Sequence, residues 1–248
     1  MAVTLSLGKK GRKLARIICA GNPQWLKAVF SGVAAGIEHR HVLPNLDTLR
    51  TVVDVGANHG QFALVVRHCS PEANVFSFEP LSGPAAKFRK VFQDDSRVVL
   101  HQSAIGPETG TATMHVAAAD DSSSLLPISN LQQHLFPGTG EVRTEKIQVG
   151  RLSDFLSAED IKAPALLTLD VQGFELEALR GCEDLLERFS YVYAECSFVE
   201  LYTGQALAHE VIAWLRERGF RLAGVHNMSY DQNGRAVQGD FLFSRRRA

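Results

Sequence analysis

The sequence has few cysteines, and their spacing pairs none of them. Cys19, Cys69, Cys182 and Cys196 form no C-x-x-C, which argues against a zinc frame or a thioredoxin-like redox site. Each lies in apolar or helical surroundings, as buried free thiols do, and that suits a reducing cytoplasm. No apolar run reaches the roughly 20 residues that a membrane helix needs, so no integral membrane segment is expected. Ile17-Ile18-Cys19-Ala20 follows a basic stretch but is too short for a signal peptide. Net charge is also nearly absent. Lys and Arg number 26 against 27 Asp and Glu, so nothing pulls the whole chain toward nucleic acid or acidic lipid. Neither G-x-G-x-x-G nor a Tyr-x-x-x-Lys pair occurs, which counts against a nicotinamide dinucleotide site. Internal repeats and low-complexity tracts are missing. With 248 residues, 45% of them hydrophobic, the chain can still bury one sizeable core.

The most informative segment is Val52-Val53-Asp54-Val55-Gly56-Ala57-Asn58-His59-Gly60. An apolar strand ends in an acid and then a loop with glycines four apart. Gly56 and Gly60 carry no Cβ, so the backbone can turn sharply and approach a ligand. A helix beginning near Gln61 would point its free N–H groups at that ligand. The spacing fits S-adenosylmethionine (SAM), which has no phosphates to cradle. One unit further on, Val75-Phe76-Ser77-Phe78-Glu79-Pro80 reads as a buried strand ending in a carboxylate. In a doubly wound sheet Glu79 sits beside the first loop and can accept both hydroxyls of a ribose.

Residues 1–48 form an N-terminal extension, locally basic through Lys9, Lys10, Arg12, Lys13, Arg16 and Lys27. Trp25, Leu26, Val29, Phe30, Val33 and Ile37 recur at helical spacing, with Asn22 as cap and Pro23 in the first turn. That stripe should pack on the main domain, residues 49–248, rather than on a membrane. The domain then alternates: strand Val52–Val55, helix Gln61–His68, strand Val75–Glu79, helix Ala85–Phe92, strand Val98–His101. Residues 105–150 interrupt the rhythm with strand-like pieces Thr111–Val116 and Glu145–Val149, a hairpin and loop insertion of the kind that covers substrates. Alternation resumes with a strand ending at Asp170. A helical face follows through Leu176, Leu179, Cys182, Leu186 and Phe189, broken at Gly181. Strand Tyr191–Cys196 and helix Leu207–Arg218 come next. An antiparallel pair, Phe220–Val225 and Asp240–Ser244, closes the chain across an Asp231–Gly234 turn.

These residues together resemble the FkbM family of SAM-dependent methyltransferases. The resemblance is carried by Val53 through Phe62, Phe76-Ser77-Phe78-Glu79-Pro80, Ser103-Ala104-Ile105-Gly106, Leu169-Asp170-Val171-Gln172-Gly173-Phe174-Glu175 and Glu195-Cys196-Ser197-Phe198. It runs from about Ile37 to Phe243 and leaves residues 1–36 outside. The D-V-Q-G-F-E element is its most specific part. What the resemblance implies is an α/β, class I (Rossmann-like) methyltransferase fold. Its sheet would be mostly parallel and doubly wound, with an antiparallel C-terminal strand. It also implies methyl transfer to a hydroxyl oxygen of a sugar or secondary metabolite. Asp54, Gly56, Ala57, Asn58 and Gly60 would cradle the amino acid part of SAM, with Phe62 and Pro80 completing the two motifs. Glu79 would hold the ribose, and Ser103 and Ala104 would lie near the adenine.

Methyl transfer from a sulfonium is an in-line displacement, and an alcohol needs a base to take its proton. Three carboxylates at the carboxyl edge of the sheet qualify. Asp170 ends its strand beside the crevice, as base, as the group that orients the acceptor, or as a grip on the SAM amino group. Glu175 follows Gly173, where charge near a helix N-terminus is stabilising in any case. Glu195 ends the next strand, as base, acceptor ligand or buried partner of a basic residue. His59 reads as incidental and His226 as a loop histidine. His39-Arg40-His41 has metal-like spacing without a third ligand, so no metal is expected. The partner is a small hydroxylated acceptor, and a homo-oligomer stays open. A nicotinamide-dependent reductase and a non-catalytic SAM-fold subunit are the alternatives.

Overall fold

The computed structural model describes residues 11 and 13–245. The expectations on Lys9, Lys10 and Arg12 lie outside the described residues. Among the described residues, no helix is long and apolar enough to cross a membrane.

A seven-stranded sheet has the order β3-β2-β1-β7-β8-β10-β9. β1 (Thr51–Val55) and β7 (Ala165–Leu169) are its centre and are buried at every position. Such mainly apolar runs are what a parallel strand covered on both faces requires. β1 pairs in parallel with β2 (Asn74–Phe78) and β7, and β2 with β3 (Val98–His101). β7 pairs in parallel with β8 (Tyr191–Ser197). β10 (Ala236–Arg245) runs antiparallel between β8 and β9 (Phe220–Tyr230). This is the class I methyltransferase arrangement expected from the motifs. The last two strands are longer than their apolar patterns suggest, because they leave the core as a ribbon. Asp231 closes that ribbon by accepting from the amides of Asn233 and Arg235 at 2.8 and 2.9 Å.

Each face of the sheet has its own core. Val53, Val55, Leu167 and Leu169 pack with the helical segment Glu175–Arg188 and its successors on one side. Val52, Val75 and Leu166 pack with α2 (Gln61–Cys69) on the other. The extension belongs to that second core. α1 (Pro23–Phe30) starts as expected, with the Asn22 side chain accepting from Trp25 N. Trp25 is fully buried and donates its Nε1–H to the Leu64 carbonyl at 2.9 Å. The expected stripe does not continue along one helix. α1 ends at Phe30, which is 93% exposed, and Val33 and Ile37 reach the core from the turn beyond Gly32.

The insertion is a separate three-stranded sheet, β4-β6-β5 (Ala104–Ile105, Glu141–Gly150, Gly110–Ala117). α3 (Ser82–Phe92) precedes it, and it encloses the short helix α4 (Asn130–Leu135). α5 (Glu175–Gly181) stops where Gly181 meets Gly106. A Cβ on Gly181 would lie 2.4 Å from the Gly106 carbonyl oxygen. This contact seats the insertion on the domain and explains Gly181, while a Cβ on Gly106 would meet the Val149 side chain at 2.9 Å. α6 (Ala208–Glu217) packs behind β9.

Candidate active site

One cavity of about 240 Å³ opens where the carboxyl ends of β1, β2, β7 and β8 meet the insertion and the extension. Its walls are acidic. Among the described residues, eight that line it are Asp or Glu, Lys13 is the sole lysine and no arginine takes part. Lys13 is itself paired with Glu38 at 3.0 Å. Such a lining suits a cation and a diol, and its described residues hold no unpaired lysine or arginine to offset a pyrophosphate.

The first loop is tied to its neighbours rather than free. The amides of Gly56 and Ala57 both donate to the Phe78 carbonyl, at 3.0 and 2.9 Å. Gly56 has φ +86°, and a Cβ there would lie 2.0 Å from the Asp170 carbonyl oxygen. So the loops after β1 and β7 touch backbone to backbone, and only glycine fits between them. Gly60 (φ +89°) faces another way. Its Cβ would strike Phe92 at 2.5 Å and Phe88 at 3.0 Å. It lets α2 begin and α3 pack, and it does not line the cavity.

Glu79 joins the two loops. Its Oε2 accepts from Asn58 N at 3.0 Å and its Oε1 from Leu81 N at 2.7 Å. A carboxylate has about four acceptor sites, so two remain for a bound diol. Burial pushes its pKa up to about 7, against the two amides, which pull it down. Burial does the same to Asp54, aided by the charge of Asp170, again to about 7. Ser77 Oγ donates to Asp54 at 3.5 Å.

The D-V-Q-G-F-E element is a bracket around Gln172. Its Nε2 donates to Asp170 Oδ1 at 2.7 Å and to Glu195 Oε2 at 2.9 Å. Its Oε1 accepts from the Tyr202 hydroxyl at 2.6 Å. Only the amino end of an amide can bridge two carboxylates, so the glutamine orientation follows from its neighbours. Gln172 holds φ +54° and Gly173 φ +94°. Glu175 fixes that turn, because its Oε1 accepts from the amides of Val171 (3.2 Å) and Gly173 (3.1 Å). Glu195 lies inside β8 rather than at its end, and its second oxygen accepts from Gln238 Nε2 at 2.8 Å. Burial raises the pKa of both Asp170 and Glu195, and the charge of Asp170 adds to the rise at Glu195.

Of the expected site residues, Asp54, Gly56, Ala57, Asn58, Phe62, Glu79, Pro80, Ala104, Asp170 and Glu195 line the cavity. Gly60, Ser103 and Glu175 do not. The Ser103 hydroxyl turns to the carbonyls of Ala104 and Gln148, at 3.0 and 3.2 Å. The lining also includes Glu38, His39, Asp121, Tyr193 and Asp240. Sequence reading missed these as site residues because they come from the extension, the insertion and mid-strand positions. Tyr193 had a usable signal, lying two residues before Glu195 and therefore on the same face of the strand. Among the described residues, no group of three or more His, Cys, Asp or Glu could hold a metal ion.

The family profile described as Methyltransferase FkbM domain matches residues 54–222. The chain is 28% identical over 216 residues to the 2-O-methyltransferase NoeI of Sinorhizobium fredii, covering 82% of this chain and 83% of that one. It is 31% identical over 199 residues to the 31-O-demethyl-FK506 methyltransferase FkbM of Streptomyces tacrolimicus, covering 68% and 72%. The crystal structure of Methyltransferase FkbM from Methylobacillus flagellatus superposes with a TM-score of 0.50 at 14% identity. That superposition takes in 79% of this chain but only 44% of the solved one, and it speaks to the fold. With two thirds of its length inside the family profile, the chain belongs to the FkbM family of methyltransferases.

Proposed function

We propose that this methyltransferase uses SAM to methylate a hydroxyl oxygen of a sugar or secondary-metabolite acceptor. The observation that carries the reading is the carboxylate-rich cavity, whose one lysine among the described residues is already paired. A sulfonium and an ammonium match those walls, and a dinucleotide does not. The 2-O-methyltransferase relative supports oxygen as the acceptor atom. In this reading Glu79 takes the ribose hydroxyls. Asp54 and Asp170 take the ammonium group, and the loop from Gly56 to Asn58 shapes the floor between them. Apolar side chains such as Ile105 and Leu125, with Ala104, face the adenine. Glu195, held on both oxygens, receives the acceptor hydroxyl. SAM supplies an electrophilic methyl group; the chain supplies orientation, water exclusion and a proton acceptor. Residues 13–48 of the extension act as one wall of the site, and the insertion within 105–150 as its cover.

The test is calorimetric titration with SAM and with NADH. It is followed by a screen of hydroxylated acceptors, with products read by mass spectrometry. SAM binding, S-adenosylhomocysteine release and O-methylated product are expected. Binding of NADH in place of SAM would reinstate the reductase reading. Binding of SAM without turnover on any acceptor would favour the non-catalytic one.

Three further outcomes follow from the assignments. Because Asp54 and Glu79 titrate at about 7, a cation that needs them ionised must expel protons. SAM affinity should therefore fall at least about tenfold from pH 8 to pH 6, since each unit below a pKa costs about 1.4 kcal/mol. Calorimetry in two buffers of different ionisation enthalpy would detect the released protons. Glu79→Ala strands two loop amides as well as the diol. Affinity for S-adenosylhomocysteine should drop by tenfold or more, about 1.4 kcal/mol, and an unchanged value would remove Glu79 from the site. Asp170→Asn replaces a charge-assisted contact with a neutral one. It should weaken SAM binding by roughly tenfold or more while saturated turnover stays within a few fold. Normal affinity with turnover reduced by roughly 10²–10⁴ would instead make Asp170 the base.

A further inference from the structure

Methyl transfer to an alcohol needs a lone pair that is free to take a proton. The rim carboxylates keep lone pairs but are already engaged. Each oxygen of Glu195 accepts from a glutamine amide and Asp170 Oδ1 accepts from Gln172. The Gln172 bonds favour the ionised carboxylates and so work against their taking a proton. His39 differs. It lies on a 3₁₀ segment of the extension, and its ring stands over the β8–β10 face of the same cavity. There Tyr193 and Glu195 project from one side of β8, and Asp240 is the register partner of Glu195 on β10.

The ring is held on several sides. Its Nδ1 lies 3.2 Å from the Tyr193 hydroxyl, which donates to Asp240 Oδ2 at 3.0 Å. Asn227 Nδ2 also donates to that Asp240 oxygen, at 2.7 Å. With its proton committed to Asp240, the Tyr193 oxygen can only accept from Nδ1–H. Asn227 Nδ2 also faces Nδ1, but at a longer 3.5 Å, so the shorter Tyr193 contact favours the Nδ1–H tautomer and leaves the Nε2 lone pair bare. Phe62 meets the ring edge-on at 5.2 Å between centroids. Gly36 admits it, since a Cβ there would lie 3.0 Å from His39 Cδ2. Among the described residues, Nε2 has no hydrogen-bond partner, and it is not among the buried polar atoms that lack one.

Resting on the SAM reading above, we infer that His39 is the general base of the transfer, with Tyr193 and Asp240 as its positioning residues. As the acceptor O–C bond forms and the C–S bond breaks, its electron pair goes to sulfur. The hydroxyl proton passes to His39 Nε2. The imidazolium so made has Asp240 Oδ2 at 3.6 Å from Nδ1 to balance it. Burial lowers the His39 pKa, with Lys13 and His41 acting the same way and Asp240 and Glu38 acting against them. His226 on β9 stands near His41 and Tyr193. Burial and Asp240 raise the Tyr193 phenol, which therefore stays a donor. The net result is an imidazole that is neutral at pH 7 and ready to accept.

The test uses the full chain, His39→Gln, His39→Ala and Tyr193→Phe. In ¹⁵N spectra of the unliganded protein at pH 7, His39 should be the neutral Nδ1–H tautomer, and Tyr193→Phe should weaken that preference. His39→Gln should keep SAM affinity within about threefold while kcat falls by roughly 10²–10⁴. The limb of kcat with a pKa below 6.5 should vanish with it, and added imidazole should partly restore His39→Ala. An Nε2–H tautomer in the parent would overturn the proposal, as would near-parental kcat in His39→Gln or SAM binding lost along with kcat. A parent that does not bind SAM sinks the SAM reading itself. A parent that binds and turns over, beside an equally active His39→Gln, sinks only the base.

Discussion

Gly56→Val should abolish measurable SAM binding, a loss of at least about 100-fold, or roughly 2.7 kcal/mol. The cause is geometric. A Cβ at this position would sit 2.0 Å from the carbonyl oxygen of Asp170 and 2.8 Å from its carbonyl carbon. Backbone atoms cannot swing aside as a side chain can, so the loops after β1 and β7 must part. The φ of +86° adds about 1–3 kcal/mol of strain for a non-glycine residue, and a β-branched side chain fits it worst. The loop after β7 carries Asp170, and the loop after β1 follows directly on the strand that holds Asp54, both assigned to the ligand. Gly60→Ala is the contrast. Its Cβ strikes the rings of Phe92 and Phe88, outside the cavity. The melting temperature should fall, yet SAM affinity of the folded protein should stay within about threefold, well under the 1.4 kcal/mol of a tenfold change. Calorimetry run below both melting points reads the two apart. Parental affinity in Gly56→Val would show that the loop is not the cofactor loop. Lost affinity in a well-folded Gly60→Ala would put Gly60 against the ligand.

Central-strand features of the sheet were the most legible in the sequence. Val52–Val55 and Ala165–Leu169 are runs dominated by apolar residues, with Asp54 and Thr168 near their carboxyl ends, and covered parallel strands leave little polar alternation to misread. Asp54, Glu79 and Asp170 were found because each stands at the abrupt end of such a run. The extension was read less well. Its apolar spacing looked like one helix, but Gly32 (φ +77°) ends the turn, and tertiary packing alone brings Val33 and Ile37 inward. His39, Tyr193 and Asp240 escaped notice for a related reason. They are 154 and 47 residues apart along the chain, and no local spacing announces a contact made by strand order. The D-V-Q-G-F-E element was conspicuous without its physical sense being readable. Gln172 matters because two carboxylates from different strands converge on its amide, which only the folded register creates.

Glu175 was read as a candidate base, and two substitutions decide whether it is one. Its carboxylate is buried and does not line the cavity. One oxygen receives the amides of Val171 and Gly173, and burial lifts its pKa to about 7. Near neutral pH the group is thus close to half protonated, so a neutral amide resembles it electrostatically. Glu175→Gln keeps an oxygen where both amides need one, and it should retain melting temperature, SAM affinity and most of the turnover. Glu175→Ala leaves two buried N–H groups without an acceptor, at about 1–3 kcal/mol each. For a chain of this size each kcal/mol is worth roughly 2–4 °C, so a drop of at least about 4 °C is expected. The damage should spread inward. The turn that holds Gln172 at φ +54° loosens, and with it the bridge to Asp170 and Glu195, so SAM affinity and turnover should fall together. A base would behave in the opposite way. Glu175→Gln would then cost roughly 10²–10⁴ in turnover with melting and SAM binding untouched, because an amide cannot take the acceptor's proton. That result would mean the carboxylate swings into the cavity during the reaction, leaving the Val171 and Gly173 amides to find other partners.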